Sequence, residues 1–244
     1  MTAQNEPEIV LFDLACTKNV CFSPVAWRIR LMLNYKCIPY QTKSIEFTDI
    51  QPTLQSLNVH PAEASPGTDI RYTVPVILRN SSNKYIFESA LIAEFLESTY
   101  PDQPVPLMSS LGNEIETKAR RIVGAVLRSA VMPREIHILS PRAQEYFRRT
   151  REASLGHSLE DLLVHEAEYW DQASDSMRAV AELMQTKKAD GPSVLGAKPS
   201  YTDFIAGSLQ AARVVDEGVF QKIMEFPGYK EIYQACLRYM EKKD

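Results

Sequence analysis

Cysteine is scarce. The chain of 244 residues carries four, Cys16, Cys21, Cys37 and Cys236, with no CxxC pair. That excludes a scaffold built on disulfides and points to a reducing, cytoplasmic setting. The four histidines, at 60, 137, 157 and 165, form no HxxxH or HExxH pattern. His165-Glu166 is half of such a motif without its second ligand, so no metal site is expected. Apolar runs are short, such as IVLF at 9–12; none approaches the roughly 20 residues of a membrane span. The opening MTAQNEPEIV has no basic segment leading into an apolar one, and so reads as lacking a secretory signal. A basic block is also missing and the net charge is −4. A general attraction to nucleic acid or to an anionic membrane is therefore not expected. Internal repeats and low-complexity segments are absent.

What is present has two grammars. Hydrophobic residues make up 45% of the chain, enough for a sizeable core. In the first hundred residues the element types alternate. EIVLFDLA (8–15) reads as a strand, and VAWRIRLMLNYK (25–36) has helical spacing. IPYQTKSI (38–45) alternates like a strand, and a short helix is expected near Asp49–Leu57. VPVILRN (74–80) and KYIFE (84–88) read as a hairpin about the turn SSN. SALIAEFLESTY (89–100) reads as a helix with Ser89 as its N-cap.

PDQPVPL (101–107), with three prolines, then marks a linker. Beyond it only helices are expected: 114–131, 158–185, 200–215 and 225–240. Ser200 and Asp203 have capping-box spacing. The fold class is α/β plus all-α. The domains are 1–102, a linker at 103–110, and 111–244.

Three stretches carry chemistry. NVCFSPVAWR (19–28) offers two nucleophiles, Cys21 and Ser23, the second before a proline at a helix start. In TVPVIL (73–78), Pro75 is either an ordinary trans proline at a strand start or a cis one. A cis bond would leave the Val74 amide and carbonyl free to pair with an extended peptide. In FESA (87–90), Glu88 and Ser89 are either an ordinary helix start or a site for an α-amino acid end. There the free amides would take the carboxylate and Glu88 the ammonium. Together, Val74 and Glu88–Ser89 would describe one ligand, a γ-glutamyl tripeptide, with its cysteine toward Ser23.

S-P-x-x-W-R, VPV, ESA and the Ser200/Asp203 box resemble the glutathione transferase family over essentially the whole chain. FSPVAWRIRLMLNYK, FTDI (47–50), YTVPVI (72–77), YFRRTRE followed by LG (146–156) and VLGAKPSYTDFI (194–205) resemble its fungal etherase-related, FuA-like branch. That branch is akin to bacterial glutathione-dependent β-etherases.

The resemblance implies a thioredoxin-like domain that binds glutathione as co-substrate and a helical-bundle domain that supplies most of the electrophile pocket. It implies that Ser23 hydrogen-bonds the glutathione sulfur, that Val74 pairs with the backbone before a cis Pro75, and that Glu88 and Ser89 hold the γ-glutamyl end. Lys43 and Arg71 are candidates for the glycyl carboxylate. Cys21 is a lesser candidate for ligand contact. The second substrate would be hydrophobic or aromatic and undergo conjugation or ether cleavage. A homodimer would fit the family's habit. Two other readings stand beside this one: a glutathione-dependent isomerase or lyase of secondary metabolism, and a non-catalytic binding or interaction module. Trp27, Arg28 and the basic run of YFRRTRE have structural readings, in packing and ion pairs. So do Tyr169 and Trp170, with pocket lining second.

Overall fold

A computed structural model describes residues 7–59 and 72–241. The first half holds β1 (Ile9–Leu14), α1 (Pro24–Tyr35), β2 (Tyr40–Ile45), α2 (Ile50–Ser56), β3 (Val76–Arg79), β4 (Lys84–Phe87) and α3 (Ser89–Thr99). The strands form one mixed sheet in the order β2-β1-β3-β4, with β1 parallel to β2 and β3 antiparallel to both of its neighbours. This is the expected thioredoxin-like unit. Period-two patterning sets its layers. Ile9 and Leu11 face the core shared with α1 and α3, while Phe12 turns to Ile45, Ile50, Leu54 and Val76 on the α2 side.

The second half is helical. Its elements are α4 (Ser110–Val126), a π-turn (Leu127–Val131), α5 (Met132–Glu135), α6 (Pro141–Leu155), α7 (Leu159–Val164), α8 (Glu166–Met184), α9 (Ala206–Val215), α10 (Glu217–Met224) and α11 (Pro227–Cys236). Four expected helices are shorter or divided. The stretch 158–185 breaks at His165 into α7 and α8. Local sequence offers no proline or glycine there; instead Glu166 is held by Arg134 at 2.7 Å and by the Trp170 indole at 3.2 Å. The stretch 200–215 opens as a 3₁₀ turn, Tyr201–Ile205, before α9, and 225–240 closes in another after α11.

The fourth, 114–131, runs out of α-geometry at Leu127. Pro133 has no N–H to return to the Ser129 carbonyl, and the next carbonyl, that of Ala130, accepts from the Arg134 guanidinium at 2.7 Å. The helix α6 was not expected, although Ser140 caps it, Pro141 stands at its start and Gly156 closes it in the left-handed region.

The halves share one core. α1 lies against α9, so close that a Cβ on Gly207 would sit 2.7 Å from the Trp27 Cβ. Arg28 on α1 is bidentate to Glu116 on α4, at 2.6 and 3.1 Å, and also reaches the Tyr201 carbonyl. Asp203 is buried, with its carboxylate accepting from the Ser200 amide and hydroxyl and from the Val194 amide. The Ser200 hydroxyl thus donates to the carboxylate. Among the described residues, no helix is long and apolar enough to cross a membrane.

Candidate functional site

Strand topology gathers three of the sequence-derived segments at one end of the sheet. β1 runs toward it and its chain continues to Ser23. β3 starts there after Val74, and β4, parallel to β1, ends there at Glu88–Ser89. Val76 pairs with Phe12 on one side and Phe87 on the other. Strand spacing of about 4.8 Å then spreads the three segments over roughly 10 Å, the length scale of an extended tripeptide.

Ser23 is the N-cap of α1. Its backbone is extended, and its Oγ accepts from the Ala26 amide at 3.3 Å. The cap uses a lone pair and leaves the hydroxyl proton without an acceptor among the described residues. The residue is buried, 4% exposed.

Cys21 is buried as well. Its Sγ lies 3.7 Å from the Ser23 carbonyl, and its own carbonyl accepts from the Trp27 indole. Burial, with Asp13 nearby, pushes the thiol well above its ordinary range. At neutral pH it is a protonated packing group rather than a nucleophile. Asp13 is itself held by Arg30, at 3.1 and 3.2 Å.

The Val74–Pro75 bond is cis. Val74 is half-buried and stands outside the β3 ladder. Glu88 is exposed with φ of 59°, a left-handed position that a non-glycine residue occupies at a cost of about 1–3 kcal/mol. Glu88, not Ser89, is the N-cap of α3, because the chain leaves β4 through this left-handed residue and turns helical at Ser89. Among the described residues no side chain caps this helix, whereas Ser23, Ser140, Ser158 and Asp216 cap α1, α6, α7 and α10. The first amides of α3 are therefore open to an anion.

Beside Val74 a cleft of about 700 Å³ opens between the halves. The sheet side supplies Leu14, Phe47, Gln51, Tyr72 and Val74. The helical side supplies Arg128, Met132, Tyr146, Thr150, Arg151 and Ser154. Ser23, Glu88 and Ser89 lie at the same sheet end but do not form its wall.

Lys43 is exposed on β2, its ammonium 5.5 Å from the Phe12 ring, and it is not part of the wall. Arg71 lies outside the described residues. Trp170 lines a different groove, of about 450 Å³, under Lys222 and beside Arg178 and Pro227. Neither it nor Tyr169 belongs to this cleft.

The YFRRTRE run is divided in role. Arg148 pairs with Glu152 and Glu160, while Tyr146 and Arg151 face the cleft. The cleft residues of α6 were not found from sequence. Recognising the Ser140-Pro141 helix start, which repeats Ser23-Pro24, would have placed them.

Family models match both halves: the glutathione S-transferase N-terminal domain over residues 22–99, and the C-terminal domain over residues 115–230. The glutathione S-transferase-like protein ustS of Aspergillus flavus is 29% identical over 99% of this chain and 94% of its own length. A glutathione S-transferase of Ceriporiopsis subvermispora, solved in complex with glutathione, is 29% identical with a TM-score of 0.82, covering 97% of this chain and 99% of that one. Glutathione transferase GSTFuA2 from Phanerochaete chrysosporium is 25% identical with a TM-score of 0.81, covering 98% and 100%.

Proposed function

The chain belongs to the glutathione S-transferase family, and on that premise we propose that it activates glutathione through Ser23 and transfers its sulfur to a hydrophobic or aromatic electrophile, by conjugation or ether cleavage. The observation that carries this reading is the convergence of Ser23, Val74 and the open α3 N-terminus on one sheet end. Glutathione lies extended across that end. Its γ-glutamyl carboxylate takes the α3 amides and Ser89, its ammonium takes Glu88, and its cysteine backbone pairs with Val74.

A free thiol has a pKa of about 8.5, so most glutathione is unreactive at neutral pH. Lowering that value by two units requires about 2.7 kcal/mol of preferential thiolate stabilisation. A charged hydrogen bond contributes about 1.5–3 kcal/mol, and a helix N-terminus some tenths to one more. The spare Ser23 proton at the start of α1 is of the right kind and size. Cys21 takes no part, and the nucleophile is the ligand's sulfur.

Ser23→Ala is expected to lower kcat with 1-chloro-2,4-dinitrobenzene by about 10- to 100-fold, the scale of one charged hydrogen bond. It is also expected to raise the pKa of bound glutathione, read from thiolate absorbance. Wild-type turnover and thiol titration in this variant would remove Ser23 from the mechanism.

A further inference from the structure

Among the described residues, the cleft wall contains two arginines and no aspartate or glutamate, in a chain of net charge −4. Other arginines of this region are engaged elsewhere, Arg149 against the Tyr146 ring and three more in ion pairs. Arg134 pairs with Glu166 and Asp216, Arg142 with Glu46 and Asp49, and Arg148 with Glu152 and Glu160. Arg128 and Arg151 make no hydrogen bond or ion pair with any described residue.

Their positions are built. Arg128 is exposed on the π-turn, four residues before Met132, which shares the cleft wall. Such turns recur at functional sites because they re-aim a side chain. Arg151 is half-buried, its guanidinium 4.9 Å from the Phe147 ring and 5.7 Å from the Phe47 ring. Ring contact engages the flat face of a guanidinium and leaves its in-plane donors free. The carboxylate whose field reaches Arg151 is Glu135, which burial pushes up to about 7, so its charge is only partial at neutral pH.

We propose that Arg128 and Arg151 form a carboxylate-binding pair in this cleft. The proposal rests on the glutathione reading above. Two sources have the required chemistry: the glycyl carboxylate of glutathione, and a carboxylate carried by the second substrate. The helical half would then contribute directly to recognition of an anion, by the forked donors that suit a carboxylate.

Two matched ligand pairs distinguish the sources. Binding is measured by calorimetry for glutathione against its glycyl monoethyl ester, and for 4-chloro-3-nitrobenzoate against 4-chloro-3-nitrobenzamide. The proteins are wild type, Arg128→Gln, Arg151→Gln and Arg151→Lys, each checked by near-ultraviolet circular dichroism.

The wild type is expected to prefer the charged member of one pair by about 10-fold or more. Each glutamine variant is expected to lose most of that preference while binding the neutral member unchanged. Arg151→Lys should keep part of it. Preference within the glutathione pair assigns the site to the glycyl end; preference within the benzoate pair assigns it to the acceptor. A wild type that treats both pairs alike overturns the proposal, as do glutamine variants that keep its preference. Failure to bind glutathione or its ester overturns the proposed function, and the benzoate pair still reads the arginines by direct binding.

Discussion

At the scale of single residues, Ser23 and Cys21 show how position decides chemistry. The two are two positions apart, and both are buried. The hydroxyl sits on a helix end with a proton to give, whereas the thiol sits among Asp13, Trp27 and the core. Glu135 carries a different consequence. Burial raises its folded-state pKa from the ordinary carboxylate value to about 7. The folded chain therefore binds more protons than the unfolded chain between about pH 4.5 and 7. Stability falls as pH rises through that window and is level above it. Glu135→Gln removes the charge that must be buried. It is expected to be more stable than wild type by about 3 kcal/mol at pH 8 and indistinguishable at pH 4, as read from urea midpoints. Equal midpoints at both pH values would show that the carboxyl is not desolvated.

At the scale of elements, the first half was legible because its signals are local. The β-rich run EIVLFDLA, the Ser23-Pro24 start and the Asn83 turn each name one element. The second half was less so. The break at His165 is accompanied by the pairing of Glu166 with Arg134, 32 residues before it, and the π-turn by a proline whose effect falls upstream. The site followed the same division. Val74, Glu88 and Ser89 stood in short motifs, but Gln51, Arg128 and Arg151 meet only in space. The α1–α9 contact is likewise invisible in either segment alone. A Cβ at Gly207 would be 2.7 Å from Trp27 Cβ and 2.9 Å from its carbonyl carbon. Gly207→Ala is therefore expected to destabilise by roughly 1–3 kcal/mol through overpacking, against the gain of up to about 1 kcal/mol that alanine brings to a helix. A lowered urea midpoint at unchanged slope is the expected result, and a raised one would mean that α9 can shift.

At the scale of the whole molecule, the two halves are domains by sequence and one body by packing. A single buried cluster runs from Ile9 and Leu11 through Trp27 and Ile115 to Tyr229 and Cys236. Lys36, on the first half, is also buried against Glu97 and the carbonyls of Asp102 and Gln103 at the linker. Unfolding is expected to be one transition, with calorimetric and van't Hoff enthalpies equal. Two resolved transitions would show that the shared core does not couple the halves.

The same close seam at Gly207 bears on how this cleft can diversify. A jaw fused along its back cannot adapt by opening wider, so its gauge is set by which side chains project from the π-turn, α5 and α6. Substitutions at Arg128, Tyr146, Thr150 or Ser154 re-cut the outer wall without moving the opposite sheet end, where Ser23 and Val74 stand. Under the proposed function, selectivity and thiol activation would thereby be separable by mutation, and new acceptors could be explored at fixed chemistry.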